Sequence, residues 1–201
     1  QSAFDSLLDP TALSGNTITT VSDMGSARSF MLHGAYCSKN SYTDINGHGW
    51  SYSYALSRLV SFSSRGPMID GRIKPDITAP GLTIATATNS YDADYSETGA
   101  NSNSVVSKYT DPVTGRNYYF TEFSGTSASG PAASGIVALL LQVNPTLTPD
   151  QVKDYIFKTA ITDIYTGVLP TAGNNDWGHG KINAYGALKL AVQDVIAGVG
   201  K

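Results

Sequence analysis

The first half of the chain alternates short apolar runs with polar, turn-rich stretches. The β-branched and aromatic residues in these runs predict strands. The predicted strands cover 17–21, 29–36, 59–63, 76–78 and 82–86. The polar stretch over 37–54 predicts a hairpin or a surface excursion. The stretch over 89–116 is polar and turn-rich throughout, and it predicts a mobile loop.

Longer apolar runs after Phe123 predict three helices. The first covers 127–143 and is rich in Ala, Leu and Val, so we expect it to be buried on most sides. Thr148, Pro149 and Gln151 form a capping box at the start of the second helix. The third helix is predicted over 184–196. Strands in the first half and long helices in the second favour an α/β layered domain.

A serine stands at the start of the first predicted helix, in the sequence Gly125-Thr126-Ser127. The first N–H groups of a helix lack partners and carry partial positive charge. A hydroxyl at this position can attack a carbonyl while the N–H groups bind the developing oxyanion. Taken alone, Ser127 is more simply a helix N-cap. A lipase-type elbow is excluded, because Ser129 stands where that motif requires glycine.

Four ordered blocks resemble the subtilisin-like (S8) serine proteases, over about 17–191. One is the strand that contains Gly34-Ala35, and another is SFSSRGP followed by KPDITAPG. The third is GTSASGPAASG, which contains Ser127, and the last contains WGHGKINA. The resemblance implies one partial catalytic domain over 1–201, with 37–54 and 89–116 as surface loops or hairpins. It also implies the C-terminal part of a three-layer α/β fold, in which a mostly parallel sheet surrounds a buried central helix that starts at the nucleophile.

The resemblance assigns Ser127 as the nucleophile, and Gly125 and Thr126 as borders of the substrate cleft. In the family, the Asp block, the His block and the oxyanion Asn all precede the Gly-Ala strand. None of these blocks is found within 1–29. The resemblance therefore implies a serine endopeptidase whose His and Asp come from outside this segment. The alternative is a non-catalytic, subtilase-derived binding or structural module.

The other titratable residues are expected to have structural roles. His33 falls in a strand pattern, His48 lies in a Gly-rich loop and His179 stands between two glycines, so none is expected to be the base. Asp70 and Asp76 are expected to be turn and hydrogen-bonding groups. The family's Met after the nucleophile is Ala128 here, and its His after Pro131 is Ala132, changes that concern packing more than chemistry.

No cofactor is required by this chemistry. Calcium, which many family members bind, has four candidate ligands: Asp44, Asn46, Asp92 and Asp94. Their spacing matches no known calcium loop, so no metal site is assigned.

Composition excludes several other classes of protein. The chain has 13 Lys and Arg against 16 Asp and Glu, which excludes a nucleic-acid or polybasic membrane surface. The longest apolar run, 136–141, is too short to span a membrane. Cys37, the single cysteine, cannot form an internal disulfide, and no signal peptide is found at Gln1. By resemblance the protein is expected to be secreted or located in the cell envelope.

Three partners are expected: a polypeptide substrate, the N-terminal part of the same protease domain, and a second copy of the fragment. The last two follow from the fold, because this part alone leaves a sheet edge and a hydrophobic face uncovered.

Overall fold

The computed structural model describes residues 18–22, 25 and 27–198, which contain seven strands and three α-helices. The strands are β1 (His33–Tyr36), β2 (Ser41–Thr43), β3 (Gly49–Ser51), β4 (Ile77–Pro80), β5 (Ile84–Ala87), β6 (Val105–Thr110) and β7 (Asn117–Phe123). The helices are α1 (Thr126–Val143), α2 (Pro149–Lys158) and α3 (Ala184–Ile196). Short 3-10 turns span Ala93–Tyr95 and Ser102–Ser104.

A parallel strand pair forms the centre of the molecule. Strand β1 pairs with β4 in a register that places His33 opposite Ile77 and Tyr36 opposite Pro80. On the other side of β4, the Thr78 N–H donates to the Gly180 carbonyl, and residues 180–182 run parallel to β4. Together with the helices packed on these strands, this arrangement confirms the predicted α/β class.

Helix α1 packs on the parallel strands with one face only. It contacts β1, β4 and α3, and it buries Ala128, Ala133 and Leu140. On the opposite side Ser134, Ala138 and Gln142 are exposed, and Leu139 and Leu141, at the two edges of that side, are 45% and 38% exposed. The expectation of burial on most sides is therefore wrong for this chain, because none of the described residues covers the second face.

The length and composition of α1 are also those of a membrane-spanning helix, and it is the only such helix in the part of the chain that the structure describes. Its packing against two strands and another helix is that of a core helix.

The capping box predicted for α2 is confirmed. The Thr148 hydroxyl accepts from the Gln151 N–H, and the Gln151 side chain accepts from the Thr148 N–H. Two otherwise unpaired N–H groups are thereby satisfied at the start of the helix.

An antiparallel layer lies beside the parallel centre. Strand β7 is the middle of a three-stranded sheet with β5 and β6 on its two sides, and β2 pairs with β3 as a hairpin. The stretch 89–116, predicted as a mobile loop, therefore contains strand β6, whose backbone is paired along β7. Its exposed positions carry polar side chains, which is why the sequence pattern indicated a loop.

The strand predicted over 29–36 begins only at His33, and three other predicted strands differ further from the structure. Residues 18–22 form no strand, because the N–H groups of Thr20 and Val21 both bind the carbonyl of Arg65; Thr17 lies outside the described residues. In the stretch 59–63, only Leu59 makes a bridge, to Tyr36, before the chain turns. Strand β5 begins at Ile84, because Thr83 has a φ of 59°, which interrupts an extended backbone.

A buried lysine ties the C-terminal segment to the centre. Lys181 is 4% exposed, and its ammonium pairs with Asp163 and lies near the rings of Tyr36, Tyr165 and Trp177. Burial opposes ionisation of Asp163. Hydrogen bonds from the Lys181 ammonium and from backbone N–H groups outweigh that effect and hold the Asp163 pKa below its ordinary value.

We expect Asp163→Asn to lower the free energy of unfolding by about 3–5 kcal/mol, because it leaves a buried ammonium unpaired. Asp154→Asn, which breaks an exposed pair with Lys158, should cost less than about 1 kcal/mol. Urea unfolding of the two variants measures the difference, and equal costs would contradict the role of Lys181.

The same pair predicts a pH dependence. Because the folded pKa of Asp163 is below the unfolded value, its stabilisation is complete above the unfolded pKa and is lost as pH falls through the folded pKa. Asp44, Asp70 and Asp111 also have lowered pKa values, so every variant should lose stability in acid. Urea unfolding measured from neutral pH down to about pH 2 should show a larger loss in the parent chain than in Asp163→Asn.

Candidate active site

Ser127 lies in the first turn of α1 with its side chain exposed. The Gly125 carbonyl accepts from the N–H groups of Ala128, at 3.0 Å, and Ser129, at 3.3 Å. Within the described ranges, no hydrogen bond uses the N–H of Thr126 or Ser127 or the Ser127 hydroxyl. The exposed hydroxyl is thus accompanied by free N–H donors at the positive end of a helix.

Ser127 is not the N-cap that the simpler interpretation required. The N-cap residue is Gly125, which makes no side-chain hydrogen bond and has a φ of 152°, a conformation that favours glycine. No side chain stands at that position, so the approach to Ser127 is open. Thr126 follows it and is half-buried.

The start of α1 is held by the end of β4. The Gly125 N–H donates to the Gly81 carbonyl at 2.8 Å, and the Gly81 N–H donates to the Tyr36 carbonyl at 3.1 Å. A Cβ at Gly81 would lie 2.6 Å from the Ala35 Cβ and 3.0 Å from the Gly125 carbonyl oxygen. Only glycine therefore allows the APG segment to approach both β1 and the nucleophile turn.

A second attachment holds the residue before Gly125. The Ser124 hydroxyl accepts from the Thr83 N–H at 2.9 Å and donates to the Glu122 carboxylate. This chain of hydrogen bonds fixes the turn that leads into α1. Sequence reasoning missed it, because Thr83 and Glu122 approach each other only through the pairing of β5 with β7.

The other family-like blocks organise the strands. The Lys74 ammonium lies 2.5 Å from the Asp76 carboxylate, which also accepts from the Leu32 N–H at 2.7 Å. The buried Ser63 hydroxyl accepts from the Ala35 N–H at 3.0 Å. Asp76 therefore has a hydrogen-bonding role between β1 and β4, and Asp70 pairs with Arg72 in an exposed turn.

The histidine positions agree with structural roles. His33 lies beside Gly130 of α1, where an added Cβ would be 3.5 Å from its Nδ1, and burial lowers its pKa against the opposing charge of Asp76. His48 is exposed and pairs with Asp44 at 3.3 Å, and His179 stacks on Phe157. In the described part of the chain, no hydrogen bond joins any of the three to Ser127.

The candidate calcium ligands Asp44 and Asp92 accept hydrogen bonds from within their own loops. The Asp44 carboxylate accepts from the N–H groups of Asn46 and His48 and from the Trp50 indole. Asp92 accepts from the Asp94 N–H, at the start of a 3-10 turn. No group of three or more His, Cys, Asp or Glu side chains among the described residues is arranged to hold a metal ion.

Comparison with known proteins identifies the family. The sequence profile described as the Subtilase family matches residues 10–187. The chain is 35% identical over 140 residues to serine protease AprX of Bacillus subtilis, covering 70% of this chain and 26% of AprX. It is 34% identical over 112 residues to the minor extracellular protease Vpr of the same organism, covering 55% of this chain and 11% of Vpr.

A solved structure shows the same fold. The Clostridium perfringens CspB protease superposes with a TM-score of 0.51 and 24% identity, covering 84% of this chain and 28% of CspB. The chain thus spans about a quarter of AprX and of CspB. The profile match, which extends over most of the sequence and contains the Ser127 turn, shows that this chain belongs to the subtilase family of serine peptidases.

Proposed function

We propose that this chain is the nucleophile-bearing part of a serine endopeptidase. The observation that carries the proposal is the exposed Ser127 hydroxyl at the start of α1, next to free N–H groups and an open Gly125, in a subtilase. Each of these features serves acyl transfer: a nucleophile, a donor for the oxyanion and space for an extended substrate.

In the proposed mechanism this chain supplies the nucleophile and one oxyanion donor. Ser127 Oγ attacks a peptide carbonyl, the C–O bond forms, and the carbonyl oxygen becomes an oxyanion that accepts from the Ser127 N–H. The hydroxyl proton passes to an imidazole from outside this segment, which an Asp orients. The same imidazole then protonates the leaving amine as the C–N bond breaks and the Ser127 ester forms. Water, deprotonated by the imidazole, attacks the ester, and the Ser127 oxygen leaves and recovers its proton. An Asn, also from outside, supplies the second oxyanion donor.

The substrate is a polypeptide, and Gly125 and Thr126 border the cleft that binds it. Gly125 carries no side chain, so an extended chain can approach the helix start closely.

The exposed face of α1 is proposed to bind the N-terminal part of the same domain. Leu139 and Leu141 lie at the two edges of this face with Ala138 between them, and exposed apolar side chains of this kind are commonly covered by a partner. In the absence of that part, a second copy of the chain is the proposed occupant.

We also propose that the protein is secreted or resides in the cell envelope. This location is supported by the family and by Vpr, whose name describes it as extracellular.

A fluorophosphonate probe tests the assignment of the nucleophile. The complete protease should be labelled at Ser127, and Ser127→Ala should abolish labelling and lower kcat by at least about 10⁴-fold. Ser134→Ala, at an exposed position on the same helix, serves as the control and should retain labelling. Failure of the parent protein to label would favour the non-catalytic module.

Gly81→Ala tests the attachment of the helix start to β4. The added methyl group must displace Ala35 or Gly125, so we expect the probe to react about 10²-fold more slowly while the protein stays folded. Gly49→Ala adds the same methyl group where nothing lies within 4 Å, and it should react at the parent rate. Equal rates for the two variants would count against the attachment.

Sedimentation velocity tests the uncovered face. The isolated 201-residue chain should self-associate, and addition of the N-terminal part should produce a one-to-one complex. Leu139→Gln together with Leu141→Gln should reduce self-association. A monodisperse monomer of the parent chain would exclude the second copy, and failure to form the one-to-one complex would exclude the N-terminal part.

A further inference from the structure

A cavity of about 300 Å³ lies between the β2–β3 hairpin and the three-stranded sheet. The two elements are joined by hydrogen bonds from the Ile45 N–H to the Val105 carbonyl, at 2.7 Å, and from the Tyr42 hydroxyl to the Asn103 carbonyl. Its lining residues come from both elements and the segments beside them: Lys39, Tyr42, Thr43, Thr83, Ala85, Val106 and Glu122. The structure thus builds this cavity from segments far apart in sequence.

Two polar groups in the cavity wall have hydrogen-bonding capacity left. Thr83 is 6% exposed, and its hydroxyl is buried without a partner among the described residues. The half-buried Glu122 carboxylate accepts from the hydroxyls of Ser124 and Tyr52, but no cation lies within ion-pair distance of it in the part of the chain described. A buried hydroxyl left this way costs free energy, and the half-buried carboxylate keeps its charge and further lone pairs for a cationic ligand.

The cavity wall carries one carboxylate, Glu122, and one ammonium, Lys39. Burial raises the pKa of the Tyr42 phenol, and the negative charges of Glu122 and Asp44 raise it further. The cavity's one lining cation in the described chain is Lys39, whose side chain is exposed and makes no ion pair there. The lining therefore combines a half-buried carboxylate and a buried hydroxyl with an exposed ammonium.

The cavity lies close to the nucleophile. Both Thr83 and Glu122 are hydrogen-bonded to Ser124, which precedes Ser127 by three residues. Three residues span at most about 11 Å. A substrate bound at Ser127 can therefore reach this cavity with a residue a few positions from the bond that is cut.

We propose that this cavity is a specificity pocket for a basic side chain, Lys or Arg, of the polypeptide substrate. The ammonium or guanidinium donates to the Glu122 carboxylate and to the Thr83 hydroxyl oxygen, and the aliphatic stem packs on Ala85 and Val106. The assignment rests on the proposed peptidase function and adds its substrate preference.

The test uses the complete protease and peptides that carry Lys, norleucine or Glu at each of three positions on either side of the scissile bond. The readout is the ratio of kcat/KM for Lys to that for norleucine, because a general loss of activity cancels in this ratio. At one position we expect a ratio of about ten, as for hydrogen bonds to charged groups.

Variants at the two charged lining residues should change this ratio in opposite directions. Glu122→Gln should reduce it to near one, whereas Lys39→Gln should raise it about two- to three-fold by removing a repelling charge. Thr83→Val removes the hydroxyl at similar volume and should lower the ratio. Glu97→Gln removes a carboxylate that pairs with Lys108 outside the cavity, and it should leave the ratio unchanged. A ratio unaffected by Glu122→Gln, or a preference for Glu that Lys39→Gln abolishes, would overturn the proposal.

A binding measurement distinguishes failure of the pocket from failure of the peptidase function. Calorimetry with the Ser127→Ala variant should show tighter binding of the Lys peptide than of the norleucine peptide, whether or not the parent protein hydrolyses either. Selective binding without hydrolysis in the parent would reject the peptidase function alone. Equal binding of both peptides would reject the pocket.

Discussion

One backbone hydrogen bond, from the Gly125 N–H to the Gly81 carbonyl, sets the position of the whole candidate site. It joins the end of the parallel pair to the first residue before α1, so the direction of that helix follows from the sheet. A side chain at Gly81 would obstruct this contact, because its Cβ would lie 2.6 Å from the Ala35 Cβ and 3.0 Å from the Gly125 carbonyl oxygen. Gly125 is required for another reason, its φ of 152°. The Thr83–Ser124–Glu122 hydrogen bonds then restrain the same turn from the antiparallel layer.

Buried charges fix the strands that carry this attachment. Lys74 and Asp76 bind each other between β1 and β4, while Lys181 and Asp163 hold the C-terminal segment against β4. Each pair costs desolvation free energy, and the surrounding hydrogen bonds offset that cost. The net stabilisation from each pair is therefore smaller than its geometry suggests, but loss of one partner leaves an uncompensated charge. Because losing one partner costs more free energy than the intact pair contributes, both pairs favour a single arrangement of the strand ends.

Sequence patterns predicted the helices better than the strands. The three helices have local signals, such as the capping box at Thr148 and the long apolar run of α1, and these signals act within a few residues. Strand β6 has no such signal, because its polar residues are extended only through pairing with β7. The interruption at Thr83 was also hidden, since a positive φ at a threonine is imposed by tertiary contacts.

The residues of the candidate site also divide into one with a local sequence signal and others that are positioned by strand pairing. Ser127 was predicted from its motif and its place before a helix, whereas Glu122 and Thr83 could not be, because β-sheet pairing alone brings them to Ser124.

The position of Ser127 on α1 also has a consequence for the energetics of the site. The nucleophile turn and the uncovered side belong to the same helix. A group that packs on that side therefore also restrains the helix that carries Ser127, so the free energy of packing and the position of the nucleophile are coupled.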